Sequence, residues 1–599
     1  MSRKFLQEFQ AMISNRNFIS LPTLRQLLMT AGTVLLSFTA FGQVTAPPSD
    51  LTSSAPARVA HSADQAVDFA IASENALDQK LREMQPVVET YIQQMQPDEA
   101  LGAVPKADNY FLGRLDLSRG VSDDSFIPLP GGWGHTLSSL ASLGKLGNAQ
   151  FMARGFAQMV VMDDGGFNKG NYNFQYLRRE FLGDVRCIVY QVTPKKEAGR
   201  GRFIGRMWVE DRDYNIVRFN GTYTSAARDN QYVHFDSWRV NTGANLWLPA
   251  FIYSEEGIVQ ASAHKLSFKA QTRLWAYQSQ KDREREEFTN ITVDTPQGVD
   301  DKSAQAADAA PVESMRMWQH EAEDNLLDRL QAAGILAPRG DVDKVLQTVL
   351  DNLEITNKIN VQPEVRVRVM MTTPMESVYV GHTIVVSRGM IDVLPDEASL
   401  AAVIAHQLGH ILLGHQLDTG FAFGDRVIFN DDQTLRKVDL ARSESEEEAA
   451  DKKALELLKN SPYNAKLANV GLFLRTLSAR SQELPHLLQP LLGNGMEAGA
   501  GDIRMGSLMA NAPELKLESI TQISALPLGT RVKIDPWSSR LTLVKSHGVA
   551  LLSATEKKPL EITPLMIHLT RQPTSEVPAS NQAAANLSAP QETASSSIR

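Results

Sequence analysis

The chain has 599 residues, 43% of them hydrophobic and 22% charged, a balance that excludes disordered, collagenous and multi-span membrane classes for its bulk. At about one domain per 150 residues it has room for about four domain-sized pieces. Lys and Arg number 60 against 69 Asp and Glu, a net charge of −9 that offers no field for gathering phosphate backbones, so no nucleic-acid partner is expected.

The first element is a short apolar run, Leu27 to Phe41, that follows Arg25 and ends on the small residues of Ala40-Phe-Gly42. It is too short for a comfortable bilayer span of about 20 residues and suits a secretory h-region, with Gln43 as the mature start. Residues 1–42 therefore read as a signal peptide and the mature protein as exported, to the periplasm or cell envelope. Membrane association is expected only if this segment stays uncleaved. Residues 43–65 read as a flexible mature N-terminus.

From Ala66 to about Gln96, apolar residues at Val67, Ala70, Ile71, Leu77, Leu81, Met84 and Val88 follow a 3.6 period and predict a leading amphipathic helix. Strand-like runs then follow, at 110–117, 176–192, 202–210, 216–224, 232–240, 246–254 and 263–277, with Asp211-Arg-Asp-Tyr-Asn215 as a hairpin connection. A curved antiparallel sheet is the expected product. Cys187, the one cysteine, rules out an intrachain disulfide or a Cys-built metal site and reads as a small apolar residue of its strand. A helix followed by "FLGDVRCIVYQVTPKK", "GRFIGRMWVEDRDYNIVRFNGTY" and "WLPAFIYSEEG" resembles the half-barrel of LolA-like lipoprotein carriers over residues 66–290. The resemblance implies a concave face for a lipid, a lipoprotein or a partner, while a scaffold with a filled interior stays open beside it.

Residues 291–312 are polar, small and acidic and read as a linker. Beyond it, Val378 to Ser387 reads as strand, Pro395-Asp396 as a helix start, and Ser399 to His415 as a helix too continuously apolar to lie on the surface. On it His406 and His410 stand four apart, so both imidazoles leave one face and can take two corners of a metal tetrahedron. His415 is expected to point round the cylinder. A third ligand has to come from elsewhere, and the later helix "SESEEEAADKKALELLKN" offers Glu447, with Asp451 one turn on as acceptor for a ligand histidine. Ala449, Ala450 and Ala454 would let the helices approach. Alone, Glu444 to Glu448 reads equally as a solvated acidic helix start.

The joint pattern, H-x-x-x-H on a capped helix and then E-x-x-A-D on a second, resembles the M48 family of gluzincin metalloendopeptidases, the HtpX-like and CAAX-prenyl-protease-like enzymes. The matching residues are Val378 to Leu394, His406-Gln-Leu-Gly-His410 with Gly414-His415, and Glu447-Glu-Ala-Ala-Asp451. The resemblance implies one zinc ion on His406, His410 and Glu447, with Asp451 behind, hydrolysing polypeptide substrates. It departs at Gln407, where the family motif HExxH carries the glutamate that takes a proton from bound water. An amide cannot titrate, so turnover should fall on the order of 10²–10⁴, or give way to a pseudopeptidase that holds client polypeptides. The downstream His-Pro pair of relatives has Ala512-Pro513 as its counterpart, with His486 or His547 as histidines that would have to fold back.

The expected architecture is α+β and multidomain: a LolA-like sheet domain at 66–290, a mainly helical zinc metallopeptidase-like domain at 313–480, a β-bearing extension at 481–570 and a disordered tail at 571–599. In the extension, Met505 to Met509 and Trp537 read as groove or core residues.

Overall fold

The computed structural model describes residues 59–99, 102–116, 118, 156, 159–163, 165–199, 201–224, 233–243, 245–261, 264–278, 311–415, 438–498, 502–516, 532–534, 541–543, 560–562, 564 and 567–572. The expected signal segment, most of the linker, His547, Trp537 and all but Arg571 and Gln572 of the expected tail lie outside them. From Ala60 onward the described residues belong to one compact unit. The architecture is α+β, with a large antiparallel sheet and a helical region beside a small sheet.

Helix α1 (Ala63–Leu81) begins on Ser62, whose hydroxyl accepts from the Gln65 N–H. It stops fifteen residues short of the predicted end at Gln96. Pro86 bars the α conformation before it, and the Val-, Thr- and Tyr-rich stretch that follows forms strand β1 (Val87–Asp98) instead. After β2 (Gly102–Arg114) the chain runs through β3 (Tyr172–Leu182), β4 (Val185–Pro194), β5 (Phe203–Glu210), β6 (Ile216–Tyr223), β7 (Phe235–Gly243), β8 (Leu246–Ala261) and β9 (His264–Trp275). The run predicted at 176–192 is therefore two strands, turned at Gly183, whose φ of +68° a side chain would resist.

These nine strands form one open sheet in the order β2-β1-β9-β8-β7-β6-β5-β4-β3, every neighbour antiparallel. Both faces are covered, which explains why strand β4 is apolar without alternation: Cys187 and Val189 face one cluster, Ile188 and Tyr190 the other. The α1 side is filled by aromatic rings, among them Phe203 edge-on to Phe219 at 5.7 Å and Tyr223 stacked on Phe235 at 5.3 Å. A bidentate pair, Arg239 to Glu74 at 2.6 and 2.7 Å, ties α1 to the sheet with both side chains buried.

The opposite face carries Trp208, Trp238, Trp247 and Trp275 and shares one core with the helical region. That region comprises α2 (Pro311–Ala332), α3 (Asp341–Asn357), β10 (Arg366–Met370), β11 (Ser377–Val380), β12 (Thr383–Ser387), α4 (Arg388–Val393), α5 (Glu397–Leu413), α6 (Glu444–Lys459), α7 (Leu467–Ser478) and α8 (Pro485–Leu488). The single strand predicted at 378–387 is a hairpin, β11–β12, turned at Gly381-His382, because Gly381 takes φ +55° where two-residue hairpins need a positive value. In the small sheet β12 lies between β10 and β11, so β11 is an edge. Beyond α8, β13 (Val532–Ile534) and β14 (Leu541–Leu543) pair antiparallel.

Buried hydrogen bonds join the two regions. Glu89 of β1 accepts from the Thr373 hydroxyl at 2.7 Å, and Asp108 of β2 accepts from the Leu487 N–H at 2.8 Å. At the end of the chain, the Gln93 amide donates to Leu560 O and accepts from the Ile562 N–H, both at 2.8 Å. Arg571 still pairs with Glu210, and the Gln572 N–H donates to Asn241 at 2.7 Å.

Candidate metal centre

Helix α5 is set by its caps. Asp396 accepts from the Ser399 N–H at 2.9 Å, and Gly414 closes it in the left-handed region at φ +70°. Residues 401–410 are buried without a break. Helix α6 begins on Ser443, which forms a reciprocal capping box with Glu446. The two helices touch through small residues: a Cβ on Gly409 would lie 3.0 Å from Ala450 O. That proximity brings Glu447 onto the histidine face.

His406 Nε2 stands 3.2 Å from His410 Nε2 and 3.1 Å from Glu447 Oε2, and His410 Nε2 stands 3.6 Å from Glu447 Oε1. Ligand atoms on a tetrahedron with zinc bonds of about 2.05 Å are separated by about 3.3 Å, so the triad has the dimensions of such a face. Ring orientation agrees. His406 Nδ1–H donates to Asp451 Oδ1 at 2.8 Å, which leaves its Nε2 lone pair aimed inward, and Asp451 Oδ2 is fixed by the Met505 N–H at 3.1 Å. His410 shares one N–H with His415, Nδ1 to Nδ1 at 2.9 Å, and the Tyr379 ring stacks on it at 5.4 Å. His415, expected to point away, backs His410 because the helix has already ended at Gly414.

The electrostatics favour a bound cation. Burial alone would raise the Glu447 carboxyl, but hydrogen bonds from His406 and His410 and the charges of His406 and Arg504 outweigh it and hold the carboxyl far below its usual range. Burial would likewise lower His406, yet the Asp451 and Glu447 carboxylates push it up to about 9. His410 is lowered, by burial first and then by the charges of His406 and His415, and offers a neutral lone pair. A proton shared between His406 Nε2 and Glu447 can fill this centre, and on its loss two imidazole nitrogens and one carboxylate at these distances are the donor set of a divalent ion with nitrogen and oxygen preference.

Gln407, the residue in the general-base position, lines the same cleft with Ser377, Met375, Asn494, Met496 and Met505. Its Nε2–H groups donate to Ser377 O at 2.9 Å and Ser377 Oγ at 3.0 Å on the edge strand. The amide supplies the donors these bonds need, whereas a carboxylate there would oppose the Ser377 carbonyl. The stretch around 502–512 does fold back onto the site, though with a different group. Arg504, buried, places Nε 3.2 Å from Glu447 Oε2. Ala512 packs against Gly471 of α7, and His486 bonds to Asp108 at 2.9 Å. The sequence reading missed Ser377 and Arg504. A usable signal for the second was that Arg504 is the sole Lys or Arg between Arg480 and Lys516.

A comparison with curated proteins returns no match. A solved domain described as an outer membrane lipoprotein-sorting protein of Vibrio parahaemolyticus is similar at 11% identity and a TM-score of 0.19, covering 37% of this chain and 97% of that one. No helix of the described residues is long and apolar enough to cross a membrane. Residues 339–471, the segment that carries His406, Gln407, His410, Glu447 and Asp451, match the model of peptidase family M48.

Proposed function

We propose that the chain is an exported zinc metalloendopeptidase-type protein that takes polypeptides of the cell envelope or unfolded proteins and cleaves them slowly. The observation that carries the reading is the inward convergence of His406, His410 and Glu447, backed by Asp451, within a segment that matches a metallopeptidase family. A zinc ion held there would polarise the scissile carbonyl and acidify bound water. The chain's own residues do the rest. Asp451 and His415 hold the two imidazoles in register, Arg504 steadies Glu447 and adds positive charge beside the cleft, and the edge strand β11 offers backbone groups along which an extended peptide can lie. Gln407 can orient a water or substrate amide and cannot move a proton.

A second reading, a pseudopeptidase that holds extended polypeptide, is favoured by one observation: the Gln407 amide is engaged with Ser377 and turned to a structural task. A lipid or lipoprotein role for the sheet has less support, because the rings on the α1 side fill that face themselves. The export half of the reading rests on the apolar run ending at Ala40-Phe-Gly42.

Incubating purified protein with casein and zinc, with and without chelator and beside a His410→Ala control, tests the first reading. Chelator-sensitive cleavage absent from the control is expected, and cleavage that survives the His410→Ala change would overturn it.

A further inference from the structure

Outside the cleft, a second set of metal-ligating side chains meets where helix α2 passes the β11–β12 turn. His320 and Glu323 share one face of α2 three residues apart, with His320 Nδ1 3.3 Å from Glu323 Oε2. His382 comes from the turn, its ring centroid 5.4 Å from that of His320. One ligand atom from each of the three lies within 4.8 Å of the others. His320 and His382 are partly exposed while Glu323 is buried, so the cluster sits at the surface with its carboxylate inward.

Two features go beyond a surface ion pair between helix neighbours. The His382 Nδ1 atom is buried and has no hydrogen-bond partner among the described residues, an arrangement proteins avoid for a ring nitrogen. The turn is also seated on the carboxylate: a Cβ on Gly381 would lie 2.0 Å from Glu323 Oε2, so any larger residue there would push the Glu323 side chain from this place.

We propose that His320, Glu323 and His382 form a second divalent-cation site, of zinc type, that fastens α2 to the β11–β12 turn. Two imidazoles and one carboxylate are the donor set of a transition-metal dication with a fourth position left for water, and oxygen-seeking calcium or magnesium would not select two nitrogens. Arg366, the cation facing the cluster, is itself engaged by Asp324 at 3.4 Å. Occupancy would stiffen the strand that carries Ser377, the partner of Gln407, and Tyr379, the ring against His410. His320 lies outside the segment matched by the family model, so this site does not follow from the cleft and does not rest on its assignment.

The test is zinc stoichiometry by elemental analysis on the full chain without a histidine tag, dialysed against zinc buffered at one free concentration. The set is wild type, His382→Ala, Glu323→Gln and the double variant His406→Ala/His410→Ala, each checked for folding by circular dichroism. Expected are two zinc ions in wild type, one in His382→Ala and Glu323→Gln, and one in the double variant. Glu323→Gln keeps the shape of the side chain and serves if His382→Ala does not fold. A double variant that binds no zinc, or wild-type stoichiometry that neither His382→Ala nor Glu323→Gln lowers, would overturn the proposal. Failure of the cleft alone would appear differently, as a wild type with a single ion that vanishes on His382→Ala.

Discussion

Changing Gln407 to Glu should have opposite effects on the metal-free and the zinc-loaded protein. In the metal-free chain the change removes two buried hydrogen bonds to Ser377, of 2.9 and 3.0 Å, and turns an acceptor toward a carbonyl. Each lost bond costs about 1 kcal/mol and the orphaned carbonyl about 1–3 kcal/mol, so destabilisation of about 3–5 kcal/mol is expected at neutral pH. With zinc present the new carboxylate has a reason to swing into the cleft, where it can accept a proton from water, and cleavage should rise on the order of 10²–10⁴. Denaturant titration of the metal-free protein reads the first effect and chelator-sensitive casein cleavage the second. An unchanged unfolding midpoint would show that the amide does not bear on Ser377. Cleavage that stays at zero would show that the cleft lacks more than a base and that holding, not hydrolysis, is its work.

Three further outcomes follow from the geometry. Asp451→Ala, which frees the His406 ring, should weaken zinc binding about 10–100-fold in a competition titration while leaving secondary structure intact. Glu74→Ala strands the buried Arg239 charge and should cost about 3–5 kcal/mol in denaturant unfolding, whereas a smaller loss would mean water reaches the guanidinium. Glu376, fully buried, is pushed up to about 7 by burial against its ordinary 4.5, despite N–H donation from Leu491 and Leu492. Because the folded state holds this proton more tightly than the unfolded chain, the associated stability is full below pH 4.5 and is lost as pH rises to about 7. Glu376→Gln should therefore flatten a decline on the order of 3 kcal/mol across that window, measured as stability against pH for both proteins.

Much of the site was legible because it depends on local spacing. The four-residue step from His406 to His410, the Asp396 cap and the Ser443 start fix two helices and the faces they present, and small residues at Gly409 and Ala450 let those faces meet. The misread elements depend on distant partners. Residues 87–96 carry enough apolar residues at helical intervals to look like a continuation of α1, yet Pro86 and pairing with β2 and β9 make them a strand. The hairpin at Gly381-His382 reads as one strand because its six flanking residues from Val378 to Val385 are mostly β-formers. Arg504 and Ser377 gain their importance only from the chain returning to the cleft, and no periodicity marks such a return, while His415 comes round to His410 because the helix ends at Gly414.

The hydrogen bonds from Glu89 to Thr373 and from Asp108 to Leu487 have a mechanical consequence. They are buried and bind the sheet to the very loops that carry strand β11 and helix α8, so no hinge separates the two regions at this seam. Anything docked on the sheet acts on the cleft as it would on a single casting, through small strains in shared strands and not by swinging one lobe toward another. A fragment cut at the linker would keep every ligand for zinc and lose the plate on which they are mounted.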